Sequence, residues 1–367
     1  MKIELNENKV FFKNGESVQE IHPFWLRERV DGDEFLDKGT QQRLFDPSTM
    51  NGEIIIKKAQ IKNGFLEVDF NDGVNSKLDI TKLETEFSNK DTVIKSIPKK
   101  KWDSTLKNIK NFEYKEGFFE SKEMYDLLVS FYEFGFVVIK NVPTENNYIV
   151  KFANSIGSVR RTNFGEHFNV KSKSNPNDLA YTTLHLSPHT DNPYRNPVPC
   201  IQLLHCIENE VKGGFSTLVD GYTVTENLKK DNPEFYKILS EVKVRFKFTD
   251  KSVMLEDWSE LIHLDDNKEF KQVRFSPRLD FVPLMDKEKL ELYYSARKKI
   301  SELYNSDDYR IEFKLQSGDL LMMDNHRLLH GRTTYDANEG NRFLQGCYID
   351  YDSTEGKLKH LKRKFNF

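Results

Sequence analysis

The chain has 367 residues, and its 55 Lys and Arg against 58 Asp and Glu leave a net charge of -3. That near-balance gives no global basic field to gather nucleic acid, and the 31% charged content is spread along the chain rather than gathered into tails. With 28 Phe and 15 Tyr there is ample apolar surface for a core, which excludes a chain disordered by composition; the length suits one large domain or two unequal ones.

Cys200, Cys206 and Cys347 are too few and too scattered for a disulfide framework, and no CxxC pair exists to build a zinc ribbon. The start, MKIELNENKV, lacks the basic and then apolar pattern of an export signal, and no stretch approaches the length of a membrane span. A cytoplasmic location is the default expectation.

In chain order, the first ninety or so residues read as a small β-rich domain, 1–95. Lys9 to Lys13 is a strand closed by Asn14-Gly15. Glu53 to Ile61 and Phe65 to Phe70 alternate apolar and polar residues around an Asn63-Gly64 turn, and Lys77 to Ile80 follows Asn71-Asp72-Gly73. Residues 96–116 are polar and basic, with Pro98 before Lys99, Lys100 and Lys101, and read as a solvated linker. From 117 to 367 a second domain is expected. Ser121 caps a helix bearing Met124, Leu127, Leu128 and Phe131, Gly135 ends it, and Phe136 to Ile139 is a buried strand. Ile201 to Leu204, Gln272 to Phe275, Leu320 to Met323 and Arg342 to Ile349 read as strands, and Asp286 to Tyr304 as a helix. Leu358, Leu361 and Phe365 lie on one face of a docked C-terminal helix. Strands without βαβ alternation predict a mainly β barrel or sandwich with flanking helices.

Two histidine neighbourhoods carry chemistry. In Pro188-His189-Thr190-Asp191 an extended backbone turns residues two apart to the same side, so His189 and Asp191 can meet on one ion. A third ligand must come from elsewhere, and Asp324-Asn325-His326-Arg327-Leu328-Leu329-His330-Gly331-Arg332 offers His330. Two histidines and a carboxylate on one face of an octahedron leave three positions open, which suits Fe(II) taking a keto acid and then dioxygen. Arg342, twelve residues beyond His330, supplies a planar fork for the distal carboxylate of 2-oxoglutarate. His326 and His330 are four apart, as on a zinc-protease helix, but no Glu follows His326 and the surroundings are not helical, so His326 reads as a supporting residue. A carboxylate at 191, where a halogenating enzyme needs room for halide, favours hydroxylation. A zinc hydrolase using the same triad, and a binding module that has lost turnover, remain competing readings.

The stretches AYTTLHLSPHTDNPYRNPVPCIQLLHCIENEVKGGFSTLVDGYTV, GDLLMMDNHRLLHGRTTY and NRFLQGCYIDYD resemble the γ-butyrobetaine dioxygenase and trimethyllysine dioxygenase group of the taurine-dioxygenase-like superfamily. The resemblance runs from about Gly117 to Asp352, with a weaker echo in WLRERV and QQRLFDPS. It implies a double-stranded β-helix (jelly roll), iron on His189, Asp191 and His330, and 2-oxoglutarate on Arg342 with Ser216 nearby. It also implies a reaction in which 2-oxoglutarate and O2 give succinate, carbon dioxide and a hydroxylated C–H. A homodimer is an analogy of the same kind.

The pattern departs from the family in the substrate positions. The aromatic cage for trimethylammonium falls at Phe164, Phe168, Tyr181 and Asn192, so one aromatic is lost. The asparagine expected to meet a substrate carboxylate is Asp178, and Arg278, near Asp280, is placed to receive an anionic group instead. The expected substrate is a small quaternary ammonium compound, γ-butyrobetaine itself or a trimethylammonium alkylphosphonate.

Overall fold

The computed structural model describes residues 2–50, 52–87, 94, 96–171 and 183–367. The chain divides into two compact units, Met1–Ser96 and Ile97–Phe367.

In the first unit, two three-stranded antiparallel sheets share a core. One holds Lys2–Asn6, Lys9–Asn14 and Ser17–Glu20; the other holds Ile56–Lys62, Phe65–Phe70 and Asn75–Asp79. Asn63 and Gly64 both adopt positive φ, the geometry of a tight hairpin turn between Lys62 and Phe65. Val10, Leu26, Leu66, Val68 and Phe70 are almost wholly buried together. The expected strand at Lys77 to Ile80 is shifted: it spans Asn75–Asp79, and Ile80 opens a helix to Phe87. Asp79 supplies the reason, because its carboxylate caps the amides of Thr81 and Lys82.

The second unit is built on two sheets. The six-stranded sheet runs Asn111–Glu113, Phe136–Lys140, Leu320–Asp324, Ile201–Asn209, Arg342–Ile349, Phe168–Val170. The four-stranded sheet runs Leu186–His189, Leu328–Arg332, Ser216–Asp220, Arg310–Phe313. A single core cluster joins Phe136, Cys206, Met323 and Leu344 of the first to Leu218, Ile311 and Leu328 of the second, so the sheets pack face to face. Between Asp220 and Arg310, three helices (Gly221–Asp231, Pro233–Glu241, Lys287–Asn305) and short strands form an insertion with its own core around Phe246, Tyr293 and Ile300.

Local signals act as the sequence predicts around Ser121. Its hydroxyl accepts from the Met124 amide, and the helix Lys122–Phe134 ends at Gly135 with φ 81°. A side chain at Gly135 would be strained and would also meet Arg327 Cδ at 3.0 Å. The C-terminal segment is a helix, Tyr351–Phe365, with Leu358 and Leu361 fully buried. The expected strand Gln272 to Phe275 spans Phe270–Val273 instead.

The linker reading of 96–116 is corrected. Trp102 is only 5% exposed, its ring N–H donates to the Phe134 carbonyl, and its backbone N–H donates to Thr223 Oγ1. Asn111–Glu113 pairs in parallel with Phe136–Lys140. The lysines of this stretch stay exposed while Trp102 carries the packing, which is why its average polarity misled.

Candidate active site

The two histidines of the predicted triad meet because their strands pair. His189 ends Leu186–His189, His330 lies in Leu328–Arg332, and the two are direct cross-strand partners with ring centroids 4.4 Å apart. Asp191 lies two residues past His189, where Asn192 turns the chain with φ 53°. One ligand atom each from His189, Asp191 and His330 lie within 4.8 Å of one another. His189 Nδ1 donates to the Ser187 carbonyl at 2.9 Å, which leaves Nε2 facing Asp191 Oδ1 at 3.4 Å; His330 Nε2 lies 3.7 Å from the same oxygen.

The surroundings fix the carboxylate. The Gln202 amide donates to Asp191 Oδ2 at 2.8 Å, and the Tyr348 hydroxyl donates to it at 2.7 Å. Asn325 holds the Asp191 main chain from both sides: the Asp191 N–H donates to Asn325 Oδ1 at 2.8 Å, and Asn325 Nδ2 donates to the Asp191 carbonyl at 3.0 Å. Burial opposes charge on Asp191, yet the neighbouring imidazoles and the Tyr348 hydroxyl outweigh it and hold the carboxyl below its usual range. Burial pushes His330 down to about 4. A carboxylate beside an unprotonated imidazole is the state a divalent cation needs.

The donor set fits a metal of the iron type: two imidazole nitrogens and one carboxylate oxygen face one point, and no other protein ligand joins them among the described residues. His326 is not among them; its Nε2 lies 3.1 Å from the Val198 carbonyl and its ring stands edge-on to Tyr351, a supporting position.

Arg342 is the second expected element. It is 8% exposed, and its Nε and Nη1 have no partner; Nη2 makes only a long 3.4 Å contact to the Gly214 carbonyl. Its guanidinium lies over the Tyr335 ring at 5.4 Å. Burial, with the positive charge of Arg332, lowers its pKa to about 10, so it stays charged at neutral pH. A buried cation with two idle N–H groups is an incomplete site, and a carboxylate completes it. Arg342 and Tyr348 leave their strand on the same face. Ser216 is buried at the head of its strand, two residues after Gly214, and pairs in register with Arg332.

A cleft opens over His189 and Asp191. Phe164, Phe168, Asn192 and Arg278 line it, together with Tyr194, Phe248 and Tyr348. Tyr194 stacks on Phe248 at 4.9 Å, Phe164 stands edge-on to Phe248, and Phe168 tilts against Tyr348 at 5.4 Å. Asp280 is engaged by Arg297. Tyr181 and Asp178 lie outside the described residues. Among the described residues no helix is long and apolar enough to cross a membrane.

Sequence reasoning missed Gln202, Asn325, Tyr348, Tyr194 and Phe248. Asn325 and Tyr348 sat inside segments already singled out, and even spacing from Arg342 placed Tyr348 on the same face. Gln202 and Phe248 offered no local signal.

The profile of the taurine catabolism dioxygenase TauD, TfdA family matches residues 105–348. The chain belongs to this family. A γ-butyrobetaine dioxygenase of Pseudomonas sp. is 28% identical over 94% of this chain and 91% of its own length. The human γ-butyrobetaine dioxygenase is 33% identical over 72% of this chain and 69% of its own. The rat mitochondrial trimethyllysine dioxygenase is 26% identical over 95% and 84%. Membership makes the protein a dioxygenase and removes the zinc-hydrolase reading of the triad.

Proposed function

We propose that this dioxygenase uses Fe(II) held by His189, Asp191 and His330, seats 2-oxoglutarate on Arg342 within a double-stranded β-helix, and hydroxylates a small quaternary ammonium compound of the γ-butyrobetaine kind. The observation that carries the reading is the convergence of three ligand atoms within 4.8 Å beside an aromatic-lined cleft. Bound there, iron and 2-oxoglutarate would supply the oxidising power, one oxygen of O2 going to the substrate and one to succinate.

The rest is the work of this chain's own side chains. Arg342 has unpaired Nε and Nη1 donors, one edge of its guanidinium suits a carboxylate, and Tyr335 covers its face. Phe164, Phe168, Tyr194 and Phe248 give an aromatic wall suited to a trimethylammonium group, which has no N–H to donate and is held by ring faces. Arg278 lines the same cleft and suits the substrate's anionic end. The apolar walls keep water away while the reacting carbon is positioned.

A succinate-release assay with Fe(II), 2-oxoglutarate and O2, run over γ-butyrobetaine, trimethyllysine and a trimethylammonium alkylphosphonate, tests the reading. Oxygen-dependent succinate formation stimulated by a quaternary amine is expected. A folded, iron-loaded protein that none of these compounds stimulates would overturn the substrate assignment.

A further inference from the structure

Gln202 and Tyr348 stand opposite each other on the adjacent strands Ile201–Asn209 and Arg342–Ile349, so both side chains leave the sheet on one face. Both end on a single atom. Asp191 Oδ2 accepts from the Gln202 amide at 2.8 Å and from the Tyr348 hydroxyl at 2.7 Å, while Oδ1 alone faces the imidazoles of His189 and His330. A carboxylate oxygen has two in-plane lone pairs, and two donors at ordinary distances occupy them. The Asn325 side chain fixes the main chain of the same residue, so the carboxylate has little freedom to turn.

Gln202 is 2% exposed and its Oε1 has no hydrogen-bond partner. An unpaired buried acceptor is destabilising, and an aliphatic side chain in its place would avoid that cost. The position therefore calls for a donor aimed at Asp191 rather than for filler.

We propose that Gln202 and Tyr348 are positioning residues that restrict Asp191 to binding metal through one oxygen, so that a coordination position stays open. The proposal rests on the metal site described under Proposed function. Six positions less two imidazoles and one oxygen leave about three, enough for a chelating keto acid and dioxygen; a chelating Asp191 leaves about two, and the keto acid fills both.

Mn(II) serves as the probe, because water-proton relaxation reports how many exchangeable waters the ion keeps. In the presence of 2-oxoglutarate the parent protein is expected to hold about one coordinated water, and Gln202→Met/Tyr348→Phe close to none. Equal hydration of parent and folded double variant, whatever their Mn(II) affinities, overturns the proposal while leaving the metal site standing. Absence of Mn(II) binding by the parent overturns the site and the proposal together. Should the double variant not fold, Tyr348→Phe decides alone. It removes one oxygen and keeps the ring against Phe168, and a hydration number below the parent's is expected. Unchanged hydration in that variant overturns the proposal.

Discussion

Replacing Arg342 by Met separates what the residue does for binding from what it costs the fold. Its Nε and Nη1 are buried without partners, and one guanidinium edge, either of these nitrogens together with Nη2, can make two charge-assisted hydrogen bonds to a carboxylate. Such bonds contribute about 1.5–3 kcal/mol each, so losing two removes about 3–6 kcal/mol, a 10²- to 10⁴-fold weakening of 2-oxoglutarate binding. The same idle donors are a burden to the ligand-free protein, at about 1–3 kcal/mol per unsatisfied group, and Met of similar length relieves it. Arg342→Met is thus expected to unfold at the same temperature as the parent or higher without ligand. Calorimetric titration with 2-oxoglutarate, paired with thermal unfolding with and without it, reads both quantities. At a hundredfold excess over Kd the keto acid stabilises the parent by about 2.7 kcal/mol, and that gain should vanish in the variant. A folded variant whose affinity falls by less than tenfold would refute the reasoning and shift the role to Arg332, which shares a strand face with His330.

Three further outcomes are expected. His189→Ala and Asp191→Ala should abolish turnover while leaving the circular dichroism spectrum unchanged; hydroxylation retained by either removes that residue from the ligand set. Gly346→Ala should raise the KM for the quaternary amine and leave that for 2-oxoglutarate unchanged. A Cβ there would come within 2.3 Å of the Phe168 ring and displace it, and equal effects on both KM values would show that Phe168 does not face the substrate. His205 is fully buried, and burial lowers its pKa from 6.5 to about 4. The unfolded chain then binds the extra proton, so this stability is present above pH 6.5 and is lost as pH falls towards 4, by on the order of 3 kcal/mol. In denaturant titrations His205→Leu should lose less stability than the parent across that window, and parallel curves would rule His205 out as the cause.

What the sequence made legible was chemistry carried by short spacing. His189 and Asp191 are two apart and Arg342 lies twelve residues beyond His330, so residue type and spacing made them candidates, and the family resemblance supplied their expected roles. Gln202 escaped because its role depends on the pairing of Ile201–Asn209 with Arg342–Ile349, a contact between segments far apart in the chain. Phe248 reaches the cleft from the insertion, on a strand that the sequence patterning did not single out. Trp102 shows the converse error: one aromatic among lysines decides the packing, while the window average reads as solvent.

The grip of Asn325 on both peptide groups of Asp191 has a consequence for how the site comes into being. The carboxylate's backbone is tied to the segment that leads into His330, and the two imidazoles are tied by strand pairing. Pairing of two strands far apart in the chain, with Asn325 bridging to Asp191, thus brings the three proposed ligands together through the fold's own hydrogen bonds.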